Sequence, residues 1–188
     1  MSPTVAVVCA TAKPTAGAGA SLVRTLAHVA VQGARDRGQQ AALFDLRDRP
    51  LPPFDGRAPD HAADVHLRDL LMTLRGSDAV VLALPAYWGG LGGVAKNLLD
   101  WWGGSAFTGH AARTPVTAKP VGTLLVCGHP MDWEPAQAHL GEVLRRFGAH
   151  YPAAARQGVA HVADHSAVQQ AIRGAYGVTR ALSPAAAS

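Results

Sequence analysis

The chain lacks most of the features that mark several large protein classes. It has two cysteines in 188 residues, Cys9 and Cys127. Neither stands in a C-x-x-C, and both lie inside apolar runs. That excludes a disulfide framework and leads us to expect buried free thiols in a reducing compartment. No apolar run approaches the roughly 20 residues of a membrane span. The opening "MSPTVAVVCA" has no basic region ahead of its apolar run, so neither a signal peptide nor a membrane association is expected, and the expected location is cytoplasmic. Charged residues are sparse at 16%, and the excess of +4 is scattered along the sequence. Without a dense basic stripe, nucleic acid is not an expected partner, and steering of a phosphate-bearing ligand is the better use of the charge. There is no G-x-x-x-x-G-K-[ST], no G-x-G-x-x-G and no G-x-S-x-G, so ATP-type, dinucleotide-fingerprint and serine-hydrolase readings have no anchor. His161 and His165 are spaced i, i+4 beside Asp164, but no third ligand accompanies them, and no metal is expected.

What is present is an alternation of apolar runs and amphipathic stretches, with 48% hydrophobic residues. Thr4–Ala10, Ala41–Leu46, Ala79–Pro85 and Val121–Gly128 read as buried strands, and Ala149–Ala163, interrupted by Pro152, as a fifth at an edge. Between them, Ser21–Arg35, Asp60–Arg75, Val94–Trp102 and Asp132–Phe147 read as helices. Asp60 is expected to cap the second, and Ser166 with Gln169 to open a last helix reaching about Arg180. "RDRPLPPFDGRAP" is a proline-rich loop. A loop is expected from residue 103 to Pro120. Strands apolar throughout, alternating with helices, mean a parallel sheet covered on both faces and wound with right-handed crossovers.

In such sheets ligands bind beyond the carboxyl ends of the strands, where the winding direction reverses. Three loops are predicted to meet there: Ala10–Ser21, Pro85–Val94 and Gly128–Asp132. The first, "ATAKPTAGAGAS", offers the hydroxyls of Thr11, Thr15 and Ser21, the charge of Lys13 and the small Gly17 and Gly19 ahead of a helix. It reads equally as a phosphate cradle or an ordinary crossover loop. The second, "PAYWGGLGG", sets Tyr87 and Trp88 beside four glycines. It reads as a rest for a flat ring or as a surface turn packed on a neighbouring subunit. The helix after it is apolar over more than one face, which makes a homodimer contact plausible. In the third loop Asp132 and Glu134 read as helix caps. Arg113 and Lys119 read as solvated surface charges or, less simply, as partners for a nucleotide 2′-phosphate.

The segment "ALPAYWGGLGGVAKNLLDWW" resembles the P-x-Y-N/W-G-x…G-x-x-K-N-x-L-D-W stretch of the NADPH-dependent FMN reductase family. "DLRDRPLPPFDG" resembles that family's D-L…L-P-x-F-D loop, "AKPVGTLLVCGHP" its K-P-V segment and "RRFGAHYP" its G-A run. These matches cover about Thr4 to Pro152 in order. The resemblance implies a flavodoxin-like three-layer α/β/α fold with a five-stranded parallel sheet, order 2-1-3-4-5. It implies one FMN-binding domain over 1–182, with 183–188 as a frayed tail, and a homodimer or homotetramer. It further implies hydride transfer from NADPH or NADH to FMN and on to a flavin, quinone-like or other small acceptor. Carried over by position, Thr11, Lys13, Thr15, Gly19 and Ser21 fall in the phosphate loop. Pro85, Ala86, Tyr87, Trp88, Gly89 and Gly90 border the isoalloxazine, and Gly128 and His129 border its far side. Amides from Gly128 to Met131 would stabilise the reduced ring; His129 reads either as a further donor to it or as a solvated loop histidine, the second being the more ordinary reading. Lys96, Asn97 and Asp100 fix the start of the third helix. No side chain is needed as acid or base for hydride transfer, so no catalytic residue is assigned. Two departures stand out. The first loop is longer than the family's G-S-x-R-x-x-S and poorer in hydroxyls, which implies loose or backbone-only phosphate binding, and Trp88 stands where asparagine is common. Three other functions share the fold: a non-enzymatic FMN carrier, a tailoring enzyme for one metabolite, and a binding protein that lost the cofactor. Carriers of this type are typically acidic, and a pI of about 9.5 argues against that reading.

Overall fold

Strands with apolar side chains on both faces can be buried only between two helical layers, and the chain builds that arrangement. The structure, a computed structural model, describes residues 2–14, 21–59, 63–107 and 113–182. Five parallel strands, β1 (Thr4–Cys9), β2 (Gln40–Asp45), β3 (Ala79–Tyr87), β5 (Val121–Cys127) and β6 (Arg156–Val159), lie in the spatial order β2-β1-β3-β5-β6. A two-residue strand, β4 (Gly90–Leu91), folds back antiparallel on β3. With β4 set aside, the order is the expected 2-1-3-4-5.

Side chains alternate across the sheet, so each strand feeds both cores. Val8, Leu82 and Leu125 pack under α2 (Val65–Gly76), α3 (Gly93–Phe107) and α4 (Trp133–Arg146). Val7, Val81 and Leu124 pack under α1 (Leu22–Asp36) and α5 (His165–Gly177). α1 and α5 touch closely because Gly33 has no side chain: a Cβ there would sit 2.2 Å from the Tyr176 carbonyl oxygen. Since β1 feeds α1 on one face and β3 feeds α3 on the other, a crevice opens beyond the carboxyl ends of these paired strands.

Four boundaries differ from expectation. α2 begins at Val65, where the Asp64 carboxylate accepts a 2.8 Å bond from the Leu67 N–H; the expected cap, Asp60, lies outside the described residues. α3 runs on to Phe107, so the expected loop starts later. β3 continues past Pro85 to Tyr87; β1 has ended opposite Ala83, so the missing proline N–H breaks no ladder on that side. α5 is capped by Asp164, which accepts from the Ser166 and Ala167 amides, and it gives way after Gly177 to a 3-10 turn, Val178–Leu182. Pro152 precedes β6, which is the edge strand as expected.

The two-sided apolarity of α3 is satisfied within the chain. Ala95, Leu98, Leu99 and Trp102 face the sheet core. Trp101 turns the other way, joining Leu67 and Leu71 of α2 and meeting Phe54 edge to face at 5.2 Å. Asn97 holds the proline-rich loop rather than the start of α3: it accepts from the Phe54 N–H and donates to the Pro52 carbonyl, which also accepts from the Trp101 indole. Lys96 and Asp100 pair with each other on the surface.

Candidate functional site

Thr11, at the end of β1, is fully buried, and its Oγ1 accepts bonds from the Ser21 hydroxyl at 3.2 Å and the Lys13 amide at 3.3 Å. Ser21 occupies the N-cap position of α1, but its side chain makes no capping bond, and the first turn carries no acidic residue. Among the described residues, then, no capping or acidic side chain compensates the positive end of this 15-residue helix. Thr11, Lys13, Ser21 and the first-turn residues Leu22 and Val23 form one wall of a cleft of about 210 Å³, and Pro85, Tyr87 and Gly128 face them. A second cleft of about 210 Å³ adjoins it, with Lys13, Pro85 and Tyr87 common to both and Gly92 and Gly93 on its far wall. The result is one crevice, rich in hydroxyl and amide groups at the α1 end and apolar along β3.

Two arginines that sequence reading placed among scattered surface charges hold this loop. Arg24 is 7% exposed. Its Nε lies 2.5 Å from Asp45 Oδ2, and its Nη1 donates to the carbonyls of Lys13 and Pro14 at 3.1 and 3.0 Å. Arg47 donates to the Ala12 carbonyl at 2.6 Å. The Asp45 hydrogen bond raises the affinity of Arg24 for its proton. No periodicity reveals such residues, because their partners come from another strand. The nearest signal is the Asp45-Leu46 pair ending the second strand.

The turn after β3 has positive φ at both central positions, Trp88 at 56° and Gly89 at 73°. That is the signature of a type I′ hairpin, which favours Asn-Gly. Trp88 is thus a bulky residue in a left-handed conformation, and it is 97% exposed. The turn is held by the Tyr87–Gly90 pairing and by a 2.7 Å bond from the Gly89 N–H to Asp132 Oδ1. Asp132, expected to cap α4, makes no capping bond and anchors this hairpin instead. In the third loop, His129 Nδ1 accepts from the Met131 N–H at 3.2 Å, which leaves the neutral ring's proton on Nε2. Met131's amide is therefore engaged, and Pro130 has none, so only the Gly128 and His129 amides remain as donors from the proposed group. The His129 ring lies 6.5 Å from that of His161.

Of the predicted site residues, Thr11, Lys13, Ser21, Pro85, Tyr87 and Gly128 line the crevice together. Ala86 is buried in the α2–α4 core and lines neither cleft. Trp88, Gly89 and Gly90 form the hairpin beyond the rim, and His129 is exposed beside Gly128. Thr15 and Gly19 lie outside the described residues. Gly92 and Gly93, two of the four glycines read beside Tyr87 and Trp88, line the second cleft, while Leu22, Val23, Val126 and Val162 are wall residues that sequence reading did not single out. Lys119 is not a solvated charge: its ammonium donates to the carbonyls of Leu74, Arg75 and Ser77 at the end of α2, and burial lowers its pKa. Cys9 and Cys127 are buried and free, with burial pushing their pKa values up to about 12 and about 11, so neither is a thiolate at neutral pH. Among the described residues no group of three or more His, Cys, Asp or Glu could hold a metal, and no helix is long and apolar enough to cross a membrane.

Residues 3–164 match the family described as NADPH-dependent FMN reductase. Solved structures share the fold at low identity. An NAD(P)H:quinone oxidoreductase from Methanothermobacter marburgensis is 16% identical, with TM-score 0.68 over 97% of this chain and 96% of the other. A flavoenzyme NAD(P)H:(acceptor) oxidoreductase from Paracoccus denitrificans is 24% identical, with TM-score 0.60 over 80% and 75%. A flavodoxin from the domain Archaea is 10% identical, with TM-score 0.57 over 96% and 98%.

Proposed function

The chain belongs to the NADPH-dependent FMN reductase family, and we propose that it is a flavin oxidoreductase whose final acceptor is a quinone-like or other small planar molecule. The family's cofactors are FMN and a reduced nicotinamide. Bound FMN would supply the redox chemistry between the nicotinamide and the acceptor. What this chain's residues do is bind and orient. The observation that supports the reading best is the N-terminus of α1, where Ser21 turns its hydroxyl to Thr11 rather than capping the helix.

The residues fit the group. A phosphate monoester suits the first-turn amides of α1, the Thr11 and Ser21 hydroxyls and Lys13. An apolar planar ring suits the wall of Pro85, Tyr87 and Gly92, where a Cβ at Gly92 would meet Pro85 at 3.0 Å. The Gly128 and His129 amides would be the donors for the negative charge that reduction places on the ring. No side chain is assigned as acid or base. A single domain over 1–182 holds the whole site in this reading. The Paracoccus and Methanothermobacter proteins, which act on an acceptor and on quinones, support the substrate class. A homodimer or homotetramer also belongs to this reading; the exposed Tyr87, Trp88 and Met131 at the rim offer apolar surface for it.

The test uses purified full-length protein with FMN, NADPH or NADH, and a soluble quinone or excess free FMN. Sustained nicotinamide oxidation that requires both flavin and acceptor is expected. Bleaching of bound flavin without turnover would leave an electron carrier instead. Absence of any flavin binding would end the reading.

A further inference from the structure

Three consecutive carbonyls of the first loop, Ala12, Lys13 and Pro14, are all taken up by guanidinium groups. The guanidiniums are themselves organised. Asp45 binds Arg24 through both oxygens, and its Oδ1 also accepts the Arg47 backbone N–H at 2.9 Å. The Arg24–Asp45 side chains are 8% and 9% exposed. A buried ion pair of this kind is weak evidence for stability as such, because desolvation offsets its attraction. Its geometry suggests another use.

A carbonyl oxygen carries partial negative charge and would repel a phosphate dianion set beside it. Each of these three oxygens is instead held against a cation at the back of the loop. The same bonds fix the backbone of Lys13, whose side chain borders both halves of the crevice. The loop is poor in hydroxyls, so its affinity for phosphate has to come from charge and from a fixed backbone. We propose that Arg24 and Arg47 are positioning residues that make the site selective for the phosphate-bearing flavin over the unphosphorylated one. Neither arginine lines the crevice; both act through the 12–14 backbone. The proposal rests on the flavin reading above.

The discriminating measurement is the ratio of affinities for FMN and riboflavin, which share a ring and differ in the phosphate. Dissociation constants are taken by flavin fluorescence titration on the full chain for wild type, Arg47→Ala, Arg47→Lys and Arg24→Lys. Arg47 is exposed, so its truncation spares the core. Loss of a charged hydrogen bond predicts about a tenfold weakening of FMN in Arg47→Ala, with riboflavin affinity unchanged. Arg47→Lys should recover most of the loss. Arg24→Lys keeps the charge but not the fork that reaches Asp45 and two carbonyls together, so it should also lower the ratio. An unchanged ratio in Arg47→Ala, whether both affinities fall together or neither falls, overturns the proposal while leaving flavin binding intact. A wild-type protein that binds neither flavin overturns the flavin reading itself, and the proposal with it.

Discussion

Trp88 shows how one residue can be legible in kind and illegible in conformation. The sequence places an aromatic at a strand end beside glycines, which is where it is found. That it sits at φ 56° follows only from the hairpin, whose geometry the β3–β4 pairing and Asp132 impose. Asparagine, common at this position in the resembling family, accepts that conformation at low cost. Because the indole is almost wholly exposed, little packing is lost on replacing it. Trp88→Asn should therefore raise stability, by up to about 1 kcal/mol, seen as a higher urea midpoint with unchanged slope. A lower midpoint would mean that the indole is packed in solution. Arg24 and Lys119 illustrate the converse. Both are cations in polar-looking contexts, yet each is spoken for by carbonyls from distant segments, and nothing within a few residues of either reveals it.

At the level of elements, strand positions and the three crevice loops were readable, because burial on two faces leaves an uninterrupted apolar run. Helix starts were read less well. Asp64 and Asp164 cap where Asp60 and Ser166 were expected, since several Asp and Ser residues compete at each start and only the path of the chain chooses among them. The apolar width of α3 was legible, but not that the chain folds its proline-rich loop over Trp101. Helix α4 yields a pH prediction. Glu142, bonded to Arg145 and Arg146 one turn on, has its carboxyl drawn down to about 2 from an ordinary 4.5. A depressed carboxyl stabilises the fold above its unfolded pKa, and the effect fades as pH falls from about 4.5 towards 2. The three side chains are solvated, so the effect is small. Glu142→Gln should lower the thermal midpoint slightly at pH 7, and the difference should vanish near pH 2 and shrink in high salt. A difference independent of pH would show that the charge pairing is not its source.

For the molecule as a whole, the order of the strands matters most, because it puts the ends of β1 and β3 side by side where the winding reverses. The crevice draws its walls from residues as far apart as Thr11 and Val162. Filling it should tie these segments together. FMN at a hundredfold excess over its dissociation constant is worth about 2.7 kcal/mol, so a thermal midpoint raised by roughly 5–10 °C is expected for a chain of this size. Scanning fluorimetry across FMN concentrations checks this, and a flat response would count against the crevice as the flavin site. By itself the sequence determined the layering, the five parallel strands and the three loops that would meet, because periodicity and composition record how deeply each segment is buried. The tertiary structure alone decided that Arg24 and Arg47 clasp the first loop, that Asp132 pins the hairpin and that Ser21 bonds Thr11 rather than capping α1. Those are choices of hydrogen-bond partner made across 10 to 43 positions of chain, and a polar side chain's partner is set by what folding brings near it, not by its neighbours in sequence.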